Sequence, residues 1–120
     1  MKNKLLISVI ISSLFTVILP AKALETRCGW LANPTPANWF LKDRDGTWTL
    51  SAQGGYQTTG MENIPDISGL EYVKTNGYHG YACACLEVDT DSDKMRITHV
   101  HNAEQLSLSV CQQDQNLSPW

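Results

Sequence analysis

Cys83 and Cys85 lie one residue apart in "TNGYHGYACACLEV", directly after an Asn-Gly turn, and thiols at that spacing suit a metal clamp, a redox couple or a disulfide framework. A four-cysteine zinc site normally brings two C-x2–4-C pairs, whereas this chain has one C-x-C and two distant single cysteines, Cys28 and Cys111. A redox couple would want a C-x-x-C and a helix N-terminus to hold a thiolate. In an extended strand Cys83 and Cys85 point to the same face, about 6.6 Å apart, while a disulfide needs Cβ atoms about 3.8 Å apart. The spacing therefore predicts two bridges, each joining one of this pair to Cys28 or Cys111, with both connectivities open. Each would contribute about 2–4 kcal/mol.

His99 and His101 share one face of an alternating stretch, "MRITHVH", and form the alternative metal pair, with His79 and the acids of Asp89–Asp93 as further ligands. "DTDSDKMRITHV" begins like a calcium loop. It has Lys94 in place of the turn glycine and Val100 in place of the bidentate acid, so it reads as a turn. Asp43 and Asp45 flank Arg44 in "LKDRDG", an acidic hairpin loop fit to complement a cationic cleft. Trp39 beside a proline-rich arm and Tyr78 and His79 at a hairpin tip are expected to be exposed binding groups; aromatic platforms of this kind also suit sugar faces. Trp30, Trp48 and Tyr81 are assigned to the core. No G-x-S-x-G, H-E-x-x-H or Gly-rich phosphate loop occurs, so no catalytic residue and no cofactor is assigned.

The positioning elements follow from turn chemistry and alternation. Residues 1–23 read as a cleaved signal peptide: Lys2 and Lys4, an apolar run from Leu5 to Leu19, then Ala21-Lys22-Ala23. That apolar run is shorter than the ~20 residues a spanning helix needs. Residues 24–120 then form one exported domain, in a bacterial periplasm or outside the cell, with no membrane insertion after cleavage. Its six Lys and Arg face twelve Asp and Glu, a net charge of −6. Such a domain repels nucleic acid and attracts basic proteins.

Along that domain, "LETRCGWLANPTPANWFL" is expected to begin as an irregular surface arm, because Pro34 and Pro36 each remove a backbone donor. Trp39–Leu41 and Thr47–Ala52 make a hairpin, in which Trp48, Leu50 and Ala52 share a face. Gln57–Thr59 reads as a short strand and Met61–Gly69 as a loop. Asn76-Gly77 joins "LEYVKT" to a return strand at Tyr81–Val88. Met95–His101 alternates again, and "LSLSV" is expected as a last strand in preference to a helical turn. The sum is an all-β domain, with room for one short helix: a small disulfide-stapled antiparallel sandwich or barrel, expected to be monomeric.

"RCGW", "NPTPANWFLKDRDGTW", "QGGY" and "YVKTNGYHGYACACLEV", followed by Cys111 and Asp114, resemble a family of small secreted bacterial proteins known only as a domain of unknown function. The resemblance spans roughly Thr26 to Leu117. It implies a stand-alone secreted domain and carries over no catalytic residue. The function expected is a non-enzymatic binding or inhibitor module acting on an envelope protein, such as a cell-wall hydrolase or a toxin. The alternative is a small-ligand domain for a glycan or, through His99 and His101, a metal.

Overall fold

The computed structural model describes residues 24–120; the expected signal peptide lies outside the described residues. Six strands, β1 (Glu25–Thr35), β2 (Asn38–Asp43), β3 (Gly46–Ser51), β4 (Val73–Asn76), β5 (His79–Asp91) and β6 (Arg96–Leu106), precede one short helix, α1 (Leu108–Gln112). They form a single sheet in the order β1-β2-β3-β6-β5-β4, and β1 pairs also with β5. The sheet thus curls back on itself into a ring instead of stacking as two separate layers. Its pairings are antiparallel except β3 with β6, which meet in parallel at Thr49 and Arg96.

Alternation along β5 explains how one strand serves two clusters. Ala82, Ala84, Leu86 and Val88 join Leu31, Leu41, Trp48, Leu50, Ile97 and Val100 in the main core. Side chains two residues apart point to the same face, so Tyr81 and Cys83 lie on the other side. There they pack with Trp30, Cys111 and Leu117 in a smaller cluster. Trp48 therefore belongs to the main core, as its strand pattern predicts. Trp30 is buried as expected, but in this second core cluster, and Tyr81 is half-buried against it. They are covered by the C-terminal segment, where Tyr81 and Trp120 stack with centroids 4.4 Å apart and Trp30 Nε1 donates to the Ser118 carbonyl.

Two expected segments are corrected. The N-terminal stretch is no irregular arm but an eleven-residue strand, paired with β5 from Glu25 to Asn33 and with β2 on its other edge. Pro34 falls one residue beyond the last β5 partner, so its missing N–H interrupts no bond of that ladder. "LSLSV" is not a strand: β6 ends at Leu106 and α1 follows. The first helical N–H, at Leu108, donates to the Glu71 carboxylate, and Cys111 is bonded to Cys83. These tertiary partners overrule the local alternation.

Both bridges match the expected scheme and choose one connectivity, Cys28–Cys85 and Cys83–Cys111, with no free cysteine among the described residues. Cys28 and Cys85 are directly opposed across β1 and β5, their Cα atoms 4.0 Å apart.

The segment from Gly60 to Tyr72 lies along β6 and closes one end of the ring. Val100 N–H donates to the Thr59 carbonyl, Asn63 Nδ2 to the Val100 carbonyl, and Gln105 Nε2 to the carbonyls of Ile67 and Glu71. Gly60 permits this approach: its φ is +83°, and a Cβ there would stand 2.1 Å from the Val100 oxygen. At Gly80 a Cβ would stand 1.8 Å from the Val73 oxygen, so glycine there lets β4 lie against β5. These two contacts fix the loop and the hairpin that frame the site below.

Candidate functional site

Three residues nominated from sequence, Trp39, Tyr78 and His79, line one cleft of about 310 Å3. The cleft lies where the Met61–Tyr72 segment meets β1, the start of β2 and the β4–β5 hairpin. Ile64, Ile67 and Met61 form its apolar side and belong to, or pack on, the main core. Trp39 is half-buried and also packs on that core, so it is less exposed than its place beside the proline-rich arm suggests. Tyr78 is 84% exposed. The Tyr72 hydroxyl donates to the Tyr78 carbonyl at 3.0 Å and so ties the loop to the hairpin tip.

The polar rim is built from oriented groups. Asn33 donates both amide hydrogens, to the carbonyls of Thr35 and Asn38 at 2.8 Å each, which leaves its Oδ1 as an acceptor. His79 Nδ1 lies 3.1 Å from that oxygen and must be the donor. In the neutral ring, Nε2 then carries the lone pair. Across the cleft, Asp66 Oδ1 accepts from the Ser68 hydroxyl at 2.6 Å and the Ser68 N–H at 3.0 Å. The Ser68 hydroxyl first, then its N–H, hold the Asp66 carboxyl below its ordinary pKa against a small opposing effect of burial. Tyr72 moves the other way: burial, then the charge of Asp66, raise its phenol above the usual tyrosine range. The cleft therefore contains a carboxylate and a neutral phenol at neutral pH.

Ser68→Ala should raise the Asp66 titration midpoint part of the way back toward an ordinary carboxylate, since only the N–H bond remains. An NMR titration of the carboxyl carbon reads this directly; an unchanged midpoint would remove the hydroxyl as cause. Because the folded pKa is depressed, the stabilisation it represents is present above the unfolded pKa and is lost as pH falls through the folded one.

The other nominated groups lie elsewhere. Asp43 is not a free loop acid: its side chain is only 4% exposed and faces inward. Its Oδ1 accepts from the Asp45 and Gly46 N–H groups and from Trp48 Nε1 at 3.0 Å, and its Oδ2 accepts from Arg27 at 2.9 Å. Asp45 is half-exposed and also pairs with Arg27, at 3.0 Å, while Arg44 is exposed. Arg27 lies 4.0 Å over the Trp48 ring. Burial opposes the Arg27 charge, and hydrogen bonds to Asp43, Asp45 and Glu25 outweigh it, raising its pKa above the ordinary value. The hairpin acids thus neutralise an arginine of the same domain.

His99 and His101 do stand together, with ring centroids 4.2 Å apart. Each has a partner of its own: Thr59 Oγ1 lies 2.6 Å from His99 Nδ1, and Asp89 Oδ2 lies 3.0 Å from His101 Nε2. His79 lies with Asn33 at the cleft and does not join them. Among the described residues, no group of three His, Cys, Asp or Glu side chains is placed to hold a metal ion.

Sequence reasoning passed over Asp66, Ser68 and Asn33. "PDISG" carried a usable cue, an Asp two residues before a Ser between turn formers, which is an Asx-turn pattern. Asn33 had none, since its partner His79 is 46 positions away.

Fold and cleft together define a small, disulfide-stapled, mostly β domain with a set of aromatic and polar groups gathered at an end of its ring. The chain belongs to the family described as "Protein of unknown function (DUF4087)", whose model matches residues 22–118. No curated protein and no solved structure shows a significant match to it. Two disulfides in a domain this small point to an oxidising, extracellular compartment. Among the described residues no helix is long and apolar enough to cross a membrane.

Proposed function

We propose that this protein is a non-enzymatic binding module, exported to the periplasm or beyond, that holds a protein partner against the cleft at the loop-closed end of its ring. Inhibition of a basic envelope protein, such as a cell-wall hydrolase or a toxin, fits that role. The observation that carries the reading is the convergence of Trp39, Tyr78 and His79 on one cleft, with the Tyr78 ring projecting beside it. A large exposed aromatic on a hairpin held by Gly80 is a preorganised anchor. The Asp43–Asp45 loop is a weaker candidate, because its acids are spent on Arg27 and Trp48. The net charge of −6 on residues 24–120 favours a basic partner by long-range attraction.

A photo-crosslinking residue at position 78, installed in cells of the source organism, should give one discrete adduct with an envelope protein. The same residue at position 94, on the exposed β5–β6 turn, should give none. Tyr78→Ala should weaken the isolated complex by about 2 kcal/mol, roughly thirtyfold. Adducts at position 94 alone, or equal yields from both positions, would remove the cleft as the recognition surface. A glycan adduct in place of a protein would transfer the cleft to the small-ligand reading, for which its aromatic walls are the supporting feature.

A further inference from the structure

We infer that the cleft receives a cationic side chain of the protein partner, a lysine in preference to an arginine; this rests on the partner reading above. The hydrogen-bonding inventory of the rim points that way. Its donors are largely used: both Asn33 amide hydrogens serve backbone carbonyls, His79 Nδ1 serves Asn33, and the Tyr72 hydroxyl serves the Tyr78 carbonyl. What remains includes the acceptors Asp66 Oδ2 and, in the neutral ring, His79 Nε2, beside the indole N–H of Trp39 and the hydroxyl of Tyr78. Asp66 is the one acid among the lining residues, so the cleft favours an occupant that donates hydrogen bonds to it and disfavours carboxylates and phosphates.

Neutral polyols also donate, and the charge of Asp66 decides between them and a cation. Two bonds from Ser68 keep that carboxylate ionised, and it faces a cleft walled by Trp39, Tyr72 and Tyr78. Aromatic faces attract cations through their quadrupoles, and a carboxylate adds to that attraction. The protein already uses this chemistry once at the cleft edge, where Lys74 Nζ stands 5.2 Å from the Tyr78 ring centroid. The choice of lysine follows from Asp66 itself. Its Oδ1 already accepts two bonds, so only Oδ2 is open, and a paired fork from a guanidinium has no matching pair of oxygens. A compact ammonium needs a single acceptor.

The test is an NMR titration of the 15N-labelled protein with N-acetyl-lysine methylamide, N-acetyl-arginine methylamide and an N-acetylglucosamine dimer as separate probes. The lysine probe should shift the amides of residues 66–68, 72, 78 and 79 saturably and with millimolar affinity. Asp66→Asn should weaken it about fivefold, in the range of an exposed ion pair. That substitution is at an exposed side chain, and the same spectrum reports whether the fold is kept. Tighter binding of the arginine probe would overturn the choice of lysine. Saturable shifts from the sugar dimer with none from lysine, or no shifts from any probe, would overturn the cationic occupant. If the position 78 crosslink forms while the lysine probe and Asp66→Asn have no effect, this inference fails and the partner reading stands. If the lysine probe binds in an Asp66-dependent way and no crosslink forms, the partner reading fails and the cation site remains.

Discussion

Asp43→Ala should destabilise the domain by about 3 kcal/mol, whereas Asp45→Ala, two residues along the same hairpin, should cost under about 1 kcal/mol. The difference lies in what each carboxylate touches. Removing the Asp43 side chain leaves Trp48 Nε1, itself buried, with no acceptor. An orphaned buried donor costs about 1–3 kcal/mol. Arg27 loses one of its three carboxylates, and the hairpin N–H groups of Asp45 and Gly46 lose their shared acceptor. Asp45 is half-exposed, and its one strong contact is shared with better-placed partners of Arg27. Urea unfolding followed by tryptophan fluorescence separates the two variants. For a domain of this size the Asp43 change should lower Tm by about 15 °C. Equal small losses from both would mean that Asp43 is the solvated loop acid that the sequence alone suggests. Asp43→Asn, which keeps an acceptor oxygen for Trp48, should fall between them.

That inward turn of Asp43 marks where the sequence stopped being readable. The hairpin itself was legible, because Asp43-Arg44-Asp45-Gly46 is turn chemistry and Trp48 and Leu50 alternate with threonines. The need of a buried indole for an acceptor was not, since nothing local says that Trp48 Nε1 is out of water. The Asn76-Gly77 turn was legible for a backbone reason: Gly77 adopts a φ of +58°, which glycine supplies without strain. β1 was missed because Pro34 and Pro36 read as breakers, yet the ladder of β1 with β5 ends at the Asn33–Gly80 pair, before either proline is reached. The last strand was misread for the opposite reason: "LSLSV" alternates well, but Glu71 and Cys83 hold that segment as a helix. At the cleft, types of residue were readable and their meeting was not. Trp39, Tyr78 and His79 look like binding groups by chemistry alone. Asn33, Asp66 and Ser68 become meaningful only when β5 sets His79 beside Asn33 and the loop brings Asp66 near Tyr72.

Reducing both disulfides should unfold the domain or leave it marginal, and the two bridges should fail in different ways. With sequence separations of 57 for Cys28–Cys85 and 28 for Cys83–Cys111, chain entropy assigns them about 4 and about 3.5 kcal/mol. Typical domain stabilities are about 5–15 kcal/mol, so the pair is a large share of any such total. Cys28 and Cys85 are already opposed in a continuous ladder from Glu25–Val88 to Asn33–Gly80. Replacing both by alanine should therefore lower global stability while native hydrogen-exchange protection keeps its pattern. Cys83–Cys111 instead ties β5 to a five-residue helix, far too short to persist alone. Its removal should lower stability and also free Leu108–Leu117, with loss of amide protection there and loosening of the Trp120 stack on Tyr81 and Phe40. Hydrogen exchange on the two double-alanine variants distinguishes a global from a local effect. Identical patterns would show that the C-terminal segment is held by Trp30, Tyr81 and Leu117 packing and not by the bridge. The prediction also bears on the cleft, because β5 carries Cys83, Cys85 and the hairpin residue His79 on one strand. Where loss of both bridges unfolds the chain, the His79–Asn33 contact is lost with it, so the recognition proposed for this end of the ring would depend on an oxidising compartment.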